Sequence, residues 1–413
     1  MPESNVTPTN GPLLFVSWGM PPSVNGSSVI AENLSRQFSP SEMVLAGQVW
    51  AGFGDYQRDP ALPRVDYVNQ EWTWPKRGQK YVRWTRWLTL PRITRKLVQI
   101  ARQEKCGAIV GVFPNEFFLY AAYRAAQRLK LPLYPYFHNT YRENRTGIAR
   151  RFADWLEPRV FQAAPVVFVM SEGMQQHYQP IYPQVRFEPL VHTFDESIPE
   201  FAPPPPPHSP LRLAFMGSLN ESNVDAARRF ADVVNSRSDC VLTTYSGIPD
   251  WMFAKVGVCG PRIEHTCVPY DQVTTALRSH DILLFPHGLT GGLSEIEYET
   301  IFPTRTIPSL LSGRPIVAHS PPNSFLTRWL RQRDCAEIVE QPDPAALSAA
   351  IDRLRDDPAR RETLVRNALA AVRQFQGTVV AAEFRRILAE TIPTQGAPPP
   401  ASEARLRPER SRT

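Results

Sequence analysis

The hydrophobic pattern of the chain switches repeatedly between two periods. Short, nearly unbroken apolar runs predict strands at Leu13–Ser17, Met43–Ala46, Ala108–Phe113, Leu133–Phe137 and Val166–Met170 in the first half. In the second half they predict strands at Leu211–Met216, Cys240–Tyr245, Ile282–Phe285 and Pro315–Ala318. The stretch Val166 to Met170 has no polar position to offer solvent, which suits a strand covered on both faces. Helix-period segments fall between these runs: Val29–Phe38 puts Ile30, Leu34 and Phe38 on one stripe, and Leu119–Leu129 and Ala226–Val234 behave likewise. Ser222 followed by Asp225 reads as a capping box opening the last of these. Strands alternating with helices predict parallel α/β architecture.

Two stretches break the pattern. Pro203–Pro207 is an unbroken run of proline, stiff, extended and without donors for a sheet ladder. It divides the chain into an N-terminal Rossmann-like domain over 1–200, a linker over 201–210 and a C-terminal Rossmann-like domain over 211–376. Residues 377–392 are expected to form a helix packing back on the first domain. Residues 393–413, rich in Pro, Gly, Ser and Arg, lack the apolar surface needed to order themselves. Two such domains joined end to end enclose a cleft beyond the carboxyl ends of their strands, where small polar ligands bind.

Charge narrows the partners. Between Lys76 and Lys105 the basic residues Lys76, Arg77, Lys80, Arg83, Arg86, Arg92, Arg95, Lys96, Arg102 and Lys105 face a single acid, Glu104, and Trp72, Trp74, Tyr81, Trp84 and Trp87 are interleaved or adjacent. This suits either an anionic membrane surface or acceptor, or a solvated helix whose tryptophans pack inward. Motifs of nucleic-acid binding are missing from the sequence, so nucleic acid is not an expected partner. No apolar stretch is long enough to span a bilayer, and Met1–Pro12 has no leader-like character, so the expectation is a cytoplasmic chain, peripheral to the inner membrane face at most. Cys106, Cys240, Cys259, Cys267 and Cys335 form no CxxC pair and read as reduced thiols rather than a metal site. A nicotinamide enzyme is disfavoured by the lack of a G-x-G-x-x-G followed by an acid.

Chemistry concentrates between Phe302 and Ala318: a loop, a short helix ended by Gly313, then a buried strand. Pro308 is tolerated only in a first helical turn, so Phe302–Arg305 lies at a helix N-terminus, where free amides and the Arg305 guanidinium suit a diphosphate. This segment resembles the retaining GT-B glycosyltransferases of the group 1, family 4-like kind, whose second domain carries such a loop, helix and Gly-x-Pro-Val-type strand with a basic residue where Arg305 stands. The resemblance continues in order through Arg212–Leu219 (a strand and glycine turn), Ser279–Pro286 (a strand ending in proline), Pro21–Ser28 (a glycine-bearing loop), Phe137–His138–Asn139 and Val169–Met174.

The resemblance implies a GT-B architecture of two Rossmann-like parallel-sheet domains facing each other across a cleft. It implies transfer of a hexosyl-type sugar, with retention and without a metal or other cofactor, from a nucleotide-diphosphate sugar to a saccharide or lipid-linked acceptor. His138 and Arg305 then take catalytic roles. Gly217, Ser218, Asn223, Gly291, Gly292, Glu299, Phe302, Thr304 and Arg305 fall on the donor side, and Asn25, Gly26, Tyr141 and Arg142 on the acceptor side. The family's two glutamates, separated by seven intervening residues, would fall on Thr300 and Pro308, and its arginine and lysine after the glycine turn on Ser218 and Asn223. None of these is charged in the required sense, so the alternative is a catalytically inactive relative that keeps the fold as a binding or scaffold protein.

Overall fold

A computed structural model describes residues 11–22, 26–50, 57–71, 79–289 and 294–391. The first domain runs β1 (Leu13–Gly19), α1 (Gly26–Ser35), β2 (Met43–Trp50), β3 (Val65–Glu71), α2 (Gln79–Gln103), β4 (Ala108–Phe113), α3 (Glu116–Leu129), β5 (Leu133–Phe137), α4 (Gly147–Gln162), β6 (Val167–Val169), α5 (Glu172–Ile181) and β7 (Phe187–Pro189). The second runs β8 (Leu211–Met216), α6 (Val224–Ser236), β9 (Cys240–Tyr245), α7 (Asp250–Lys255), β10 (Ile263–Thr266), α8 (Val273–Leu277), β11 (Ile282–Pro286), α9 (Glu295–Thr300), α10 (Thr306–Leu311), β12 (Ile316–His319), α11 (Phe325–Gln332), β13 (Glu337–Val339), α12 (Pro344–Asp356) and α13 (Pro358–Ala371). Then α14 (Gly377–Thr391) returns to the first domain.

Each domain is a doubly wound parallel sheet. The strand orders are β3-β2-β1-β4-β5-β6-β7 and β10-β9-β8-β11-β12-β13, with every paired neighbour parallel. In both, strand order reverses beside the first strand, and the crevice at that reversal is where such sheets receive ligands. The central strands β4, β5 and β11 are buried along their whole length, as their apolar runs require. The capping box expected at Ser222 does not form. Asn223 stands at the N-cap of α6, Ser222 bonds Asn220 instead, and Asp225 pairs with Arg229 at 2.5 Å.

The α14 helix buries Val380, Ala381, Phe384, Ile387 and Leu388 in the core of the first domain. Its Phe384 ring meets Phe38 and Phe168 edge-on, and Arg385 pairs with Glu42 at 3.0 Å. The chain therefore crosses between domains twice, which limits how far they can separate. On the α5 side the domains touch directly: Ser171 donates to the Thr300 carbonyl, and Gly173 lies against α9 and α11. A Cβ at Gly173 would stand 2.9 Å from the Glu299 carbonyl oxygen and 3.0 Å from the Phe325 ring. Gly173→Ala is therefore expected to lower unfolding stability by roughly 1–3 kcal/mol, read as a shift in denaturant midpoint, by pushing the domains apart at a point with no room to yield.

Candidate functional site

The ends of β8, β9 and β10 open onto a cleft of about 750 Å³, closed on the other side by the start of α1. Gly217 and Ser218 follow β8, Ser246, Gly247 and Ile248 follow β9, and Cys267, Val268, Pro269 and Tyr270 follow β10; Gly26 and Val29 face them from α1, with Thr304 and Arg305 between. Gly217 has φ 107°, a backbone state that favours glycine, and it lets the chain turn away directly above the guanidinium. Met216 and Tyr245 at the strand ends, with Val273 of α8, supply an apolar wall, and loop backbones supply polar groups. This combination suits a flat ring carried on a charged tail.

Arg305 occupies the strand-order reversal between β8 and β11. One Nη donates to the Pro286 carbonyl at 2.6 Å, the guanidinium carbon lies 4.9 Å from the centre of the Phe285 ring, and Nε has no hydrogen-bond partner among the described residues. The side chain is half-buried and lines the cleft. Enclosure by protein brings its pKa down to about 10, so it remains a cation at neutral pH but a poorly solvated one. No carboxylate among the described residues pairs with it, and an incoming anion would meet a charge that is not yet neutralised. The helix behind it contributes less than the sequence suggests. Pro308 does sit in the first turn of α10, but the Thr306 amide is taken by the Pro303 carbonyl at 2.9 Å, and that helix is short.

His138 follows β5 directly and is buried, its Nδ1 3.2 Å from Ser27 Oγ on α1. Its Nε2 has no partner among the described residues. Burial, helped by neighbouring His192, holds the ring down to about 3, and His192 and His287 are held by burial down to about 4 and about 3. All three are neutral in the folded chain at physiological pH. Each accepts a proton more readily unfolded than folded, so the unfolded state binds more protons below pH 6.5. Stability is thus expected to fall as pH drops from about 6.5 towards 4, by roughly 1 kcal/mol per pH unit for each ring, measured as unfolding free energy against pH.

A second compartment of about 570 Å³ lies beside the first, across the Ser218–Asn223 loop. It is lined by Asn139, Thr140, Asn144, Arg145, Asn220 and Glu221, among others. Its floor is an interdomain clasp. The buried Glu297 carboxylate of α9 accepts from Asn139 Nδ2 at 2.6 Å, Thr140 Oγ1 at 2.7 Å and Asn144 Nδ2 at 2.5 Å, all from the opposite domain.

Several residues singled out from the sequence do other work. Phe302 is packed among His192, Phe325, Trp329 and Phe375 in the core of the second domain. Asn223 is fully buried and holds its own loop, donating to the Ser218 carbonyl at 3.0 Å and accepting from the Asn220 amide at 3.0 Å. Tyr141 is buried against Phe113, and Arg142 is committed to Asp154 at 2.9 Å and to Tyr182 at 3.2 Å; neither faces the cleft. Glu299 does not line the cleft either. Positions two apart on a helix point to opposite sides, so with Glu297 turned to the first domain Glu299 cannot follow it. Asn25, Gly291 and Gly292 lie outside the described residues. Gly217, Ser218, Thr304 and Arg305 come together on the second domain's side of the cleft, with Gly26 facing them from α1. The residues after β9 and β10 were missed; the end of the correctly placed β9 pointed to Ser246–Ile248, whereas β10 carried no apolar signal.

The arrangement of two doubly wound sheets, a cleft between their strand ends and a C-terminal helix crossing back has a clear likeness among solved structures. Sucrose-phosphate synthase from Thermosynechococcus elongatus superposes with a TM-score of 0.70 at 12% identity, covering 92% of this chain and 98% of that one. The chain has the GT-B fold. HepE from Anabaena in complex with UDP-glucose gives 0.65 at 14% identity over 92% and 100% of the two chains. The UDP-forming trehalose-phosphate synthase from Burkholderia xenovorans, in complex with glucose-6-phosphate, gives 0.63 at 12% identity over 92% and 100%. No protein-family model and no curated protein matches the sequence. At these identities the likeness speaks for the GT-B fold, and the chemistry must come from this chain's own side chains.

Proposed function

We propose that the chain is a glycosyltransferase that takes a hexosyl-type sugar from a nucleotide-diphosphate sugar in the larger cleft and passes it, with retention and without a metal, to a saccharide or lipid-linked acceptor in the smaller one. The observation that carries this reading is Arg305: a half-buried guanidinium lining the cleft, unpaired by any carboxylate among the described residues, at the strand-order reversal of the second domain. A cation already placed where a departing diphosphate gathers charge stabilises the transition state without reorganising. In this reading the pocket after β9 and β10 takes the base and ribose, and the structures of HepE with UDP-glucose and UDP on the same fold support a nucleotide-sugar donor. The neutral, buried His138, at the end of β5 beside the start of α1, lines neither compartment; in this reading its unpartnered Nε2 serves a sugar hydroxyl by hydrogen bonding rather than by charge.

One observation favours a second reading, a binding protein without turnover. At the two positions where the family carries glutamates, the Thr300 hydroxyl is spent on the Ile296 carbonyl at 2.7 Å, and Pro308 is buried. The ribose then loses a carboxylate acceptor. A panel of UDP, GDP, ADP and TDP sugars, scored by thermal shift and then by hydrolysis or transfer, separates the cases. Stabilisation with turnover is the expected result. Stabilisation without turnover gives the second reading, and no stabilisation by any member rules out both.

A further inference from the structure

The helix α4 has two apolar faces. One is buried in the first domain through Ala153, Leu156, Val160 and Phe161. The other, Ile148, Phe152 and Trp155 with Arg151 and Arg159, follows the same helical spacing on the outside. Ile148 is 81% exposed and Trp155 38%. Neighbouring helices extend this outer face. Trp87 of α2 meets Phe152 at 4.9 Å, and Tyr120 of α3 meets Phe152 at 5.8 Å and Trp155 at 5.6 Å. Leu88, next to Trp87, is 80% exposed. The result is a continuous sheet of rings with two aliphatic side chains standing out into solvent, which a soluble surface does not require.

The charges around it carry one sign. Arg159 lies 4.7 Å from the centre of the Trp155 ring, Arg124 bonds the Tyr120 hydroxyl at 3.1 Å, and Arg151 is exposed. None of these three has an ion-pair partner among the described residues. The nearby acids are taken, Asp154 by Arg142 and Arg150, and Glu116 by Arg145. Arg86, part of the basic run in the sequence, is likewise neutralised by Glu71 at 2.8 Å, and the segment 72–78 lies outside the described residues. The basic surface is thus carried by α3 and α4 rather than by α2 alone.

We propose that this α2–α3–α4 face docks on a bilayer surface bearing anionic headgroups, with Leu88 and Ile148 entering the acyl boundary, Trp87 and Trp155 at headgroup level, and Arg124, Arg151 and Arg159 on lipid phosphates. A second copy of the chain is a poorer occupant, since a two-fold contact would bring unpaired arginines against arginines. The face adjoins the cleft, because α4 begins just after Arg145, which lines the smaller compartment. Lipid contact here is independent of what the cleft binds.

The test is co-sedimentation of the full chain with phosphatidylcholine vesicles and with vesicles enriched in phosphatidylglycerol. Pelleting with the anionic vesicles, weakened by salt, is expected. Ile148→Glu and Leu88→Glu should each lower partitioning by roughly tenfold or more. Arg151→Gln and Arg159→Gln should each lower it about fivefold, with melting temperature and nucleotide binding unchanged. Three results overturn the proposal: failure to pellet with anionic vesicles, pelleting indifferent to all four substitutions, or a concentration-dependent dimer that Ile148→Glu abolishes while vesicle binding persists. Loss of nucleotide binding with vesicle binding intact would bear on the cleft alone.

Discussion

Arg305→Ala is expected to lower both nucleotide-sugar affinity and kcat/KM by about 100-fold or more, the scale of removing a pre-placed charge-stabilising donor. The same substitution should leave the melting temperature of the ligand-free protein unchanged or raise it. The guanidinium is largely enclosed, held down to about 10, and among the described residues has only the Pro286 carbonyl and the Phe285 ring as compensation. Removing it relieves a burial cost in the empty protein. Opposite signs for binding and stability distinguish a functional cation from a structural one, which would lose both together. Arg305→Lys should fall between, since an ammonium keeps the charge but cannot stack on Phe285 while donating to both Pro286 and a diphosphate. Calorimetric titration and melting curves on the three proteins check this.

Glu297→Leu is the second large effect. It removes the shared acceptor of Asn139, Thr140 and Asn144 and leaves their donors facing a hydrocarbon at the domain junction. Breaking a buried charged hydrogen-bond set in this way should cost about 3–5 kcal/mol of unfolding stability. It should also widen the cleft, seen as a larger radius of gyration in solution scattering. Glu297→Gln keeps one acceptor oxygen and turns the other into a donor among donors, so it should lose less. If Glu297→Leu melts like the parent, the clasp does not hold the domains together.

Which strands were legible in the sequence follows from their place in the sheets. The nine expected runs all became strands, several with the same bounds, because each lies inside a sheet between two neighbouring strands, even where, as in β9, one face stays half-buried. The four strands without a signal, β3, β7, β10 and β13, are the four edges. β10 reads Ile-Glu-His-Thr, none of it fully buried, and β7 is only Phe-Glu-Pro. An edge strand is held by one neighbour and needs no apolar run, so periodicity passes over it.

The site divides along similar lines. Arg305, Thr304, Gly217, Ser218 and Gly26 were legible because helix starts and glycine turns at strand ends constrain residue type. Asn223, Tyr141 and Arg142 looked available because polar groups in loops read as surface. Their partners, the Ser218 carbonyl, Tyr178 and Asp154, are supplied by the fold and leave no trace in the local sequence. Glu297 was one of three acids on a short helix, and only the packing of α9 against the first domain selects it.

The central claim is that the cation at the β8/β11 reversal grips a diphosphate. Diffraction from crystals soaked in the nucleotide-diphosphate sugar that stabilises the protein most tests it directly. The account predicts diphosphate density within hydrogen-bond reach of Arg305, beneath Gly217 and beside Thr304, with the base lying against the Ser246–Ile248 and Cys267–Tyr270 segments. A nucleotide bound elsewhere, or one seated in this cleft with its phosphates turned away from Arg305, would contradict it.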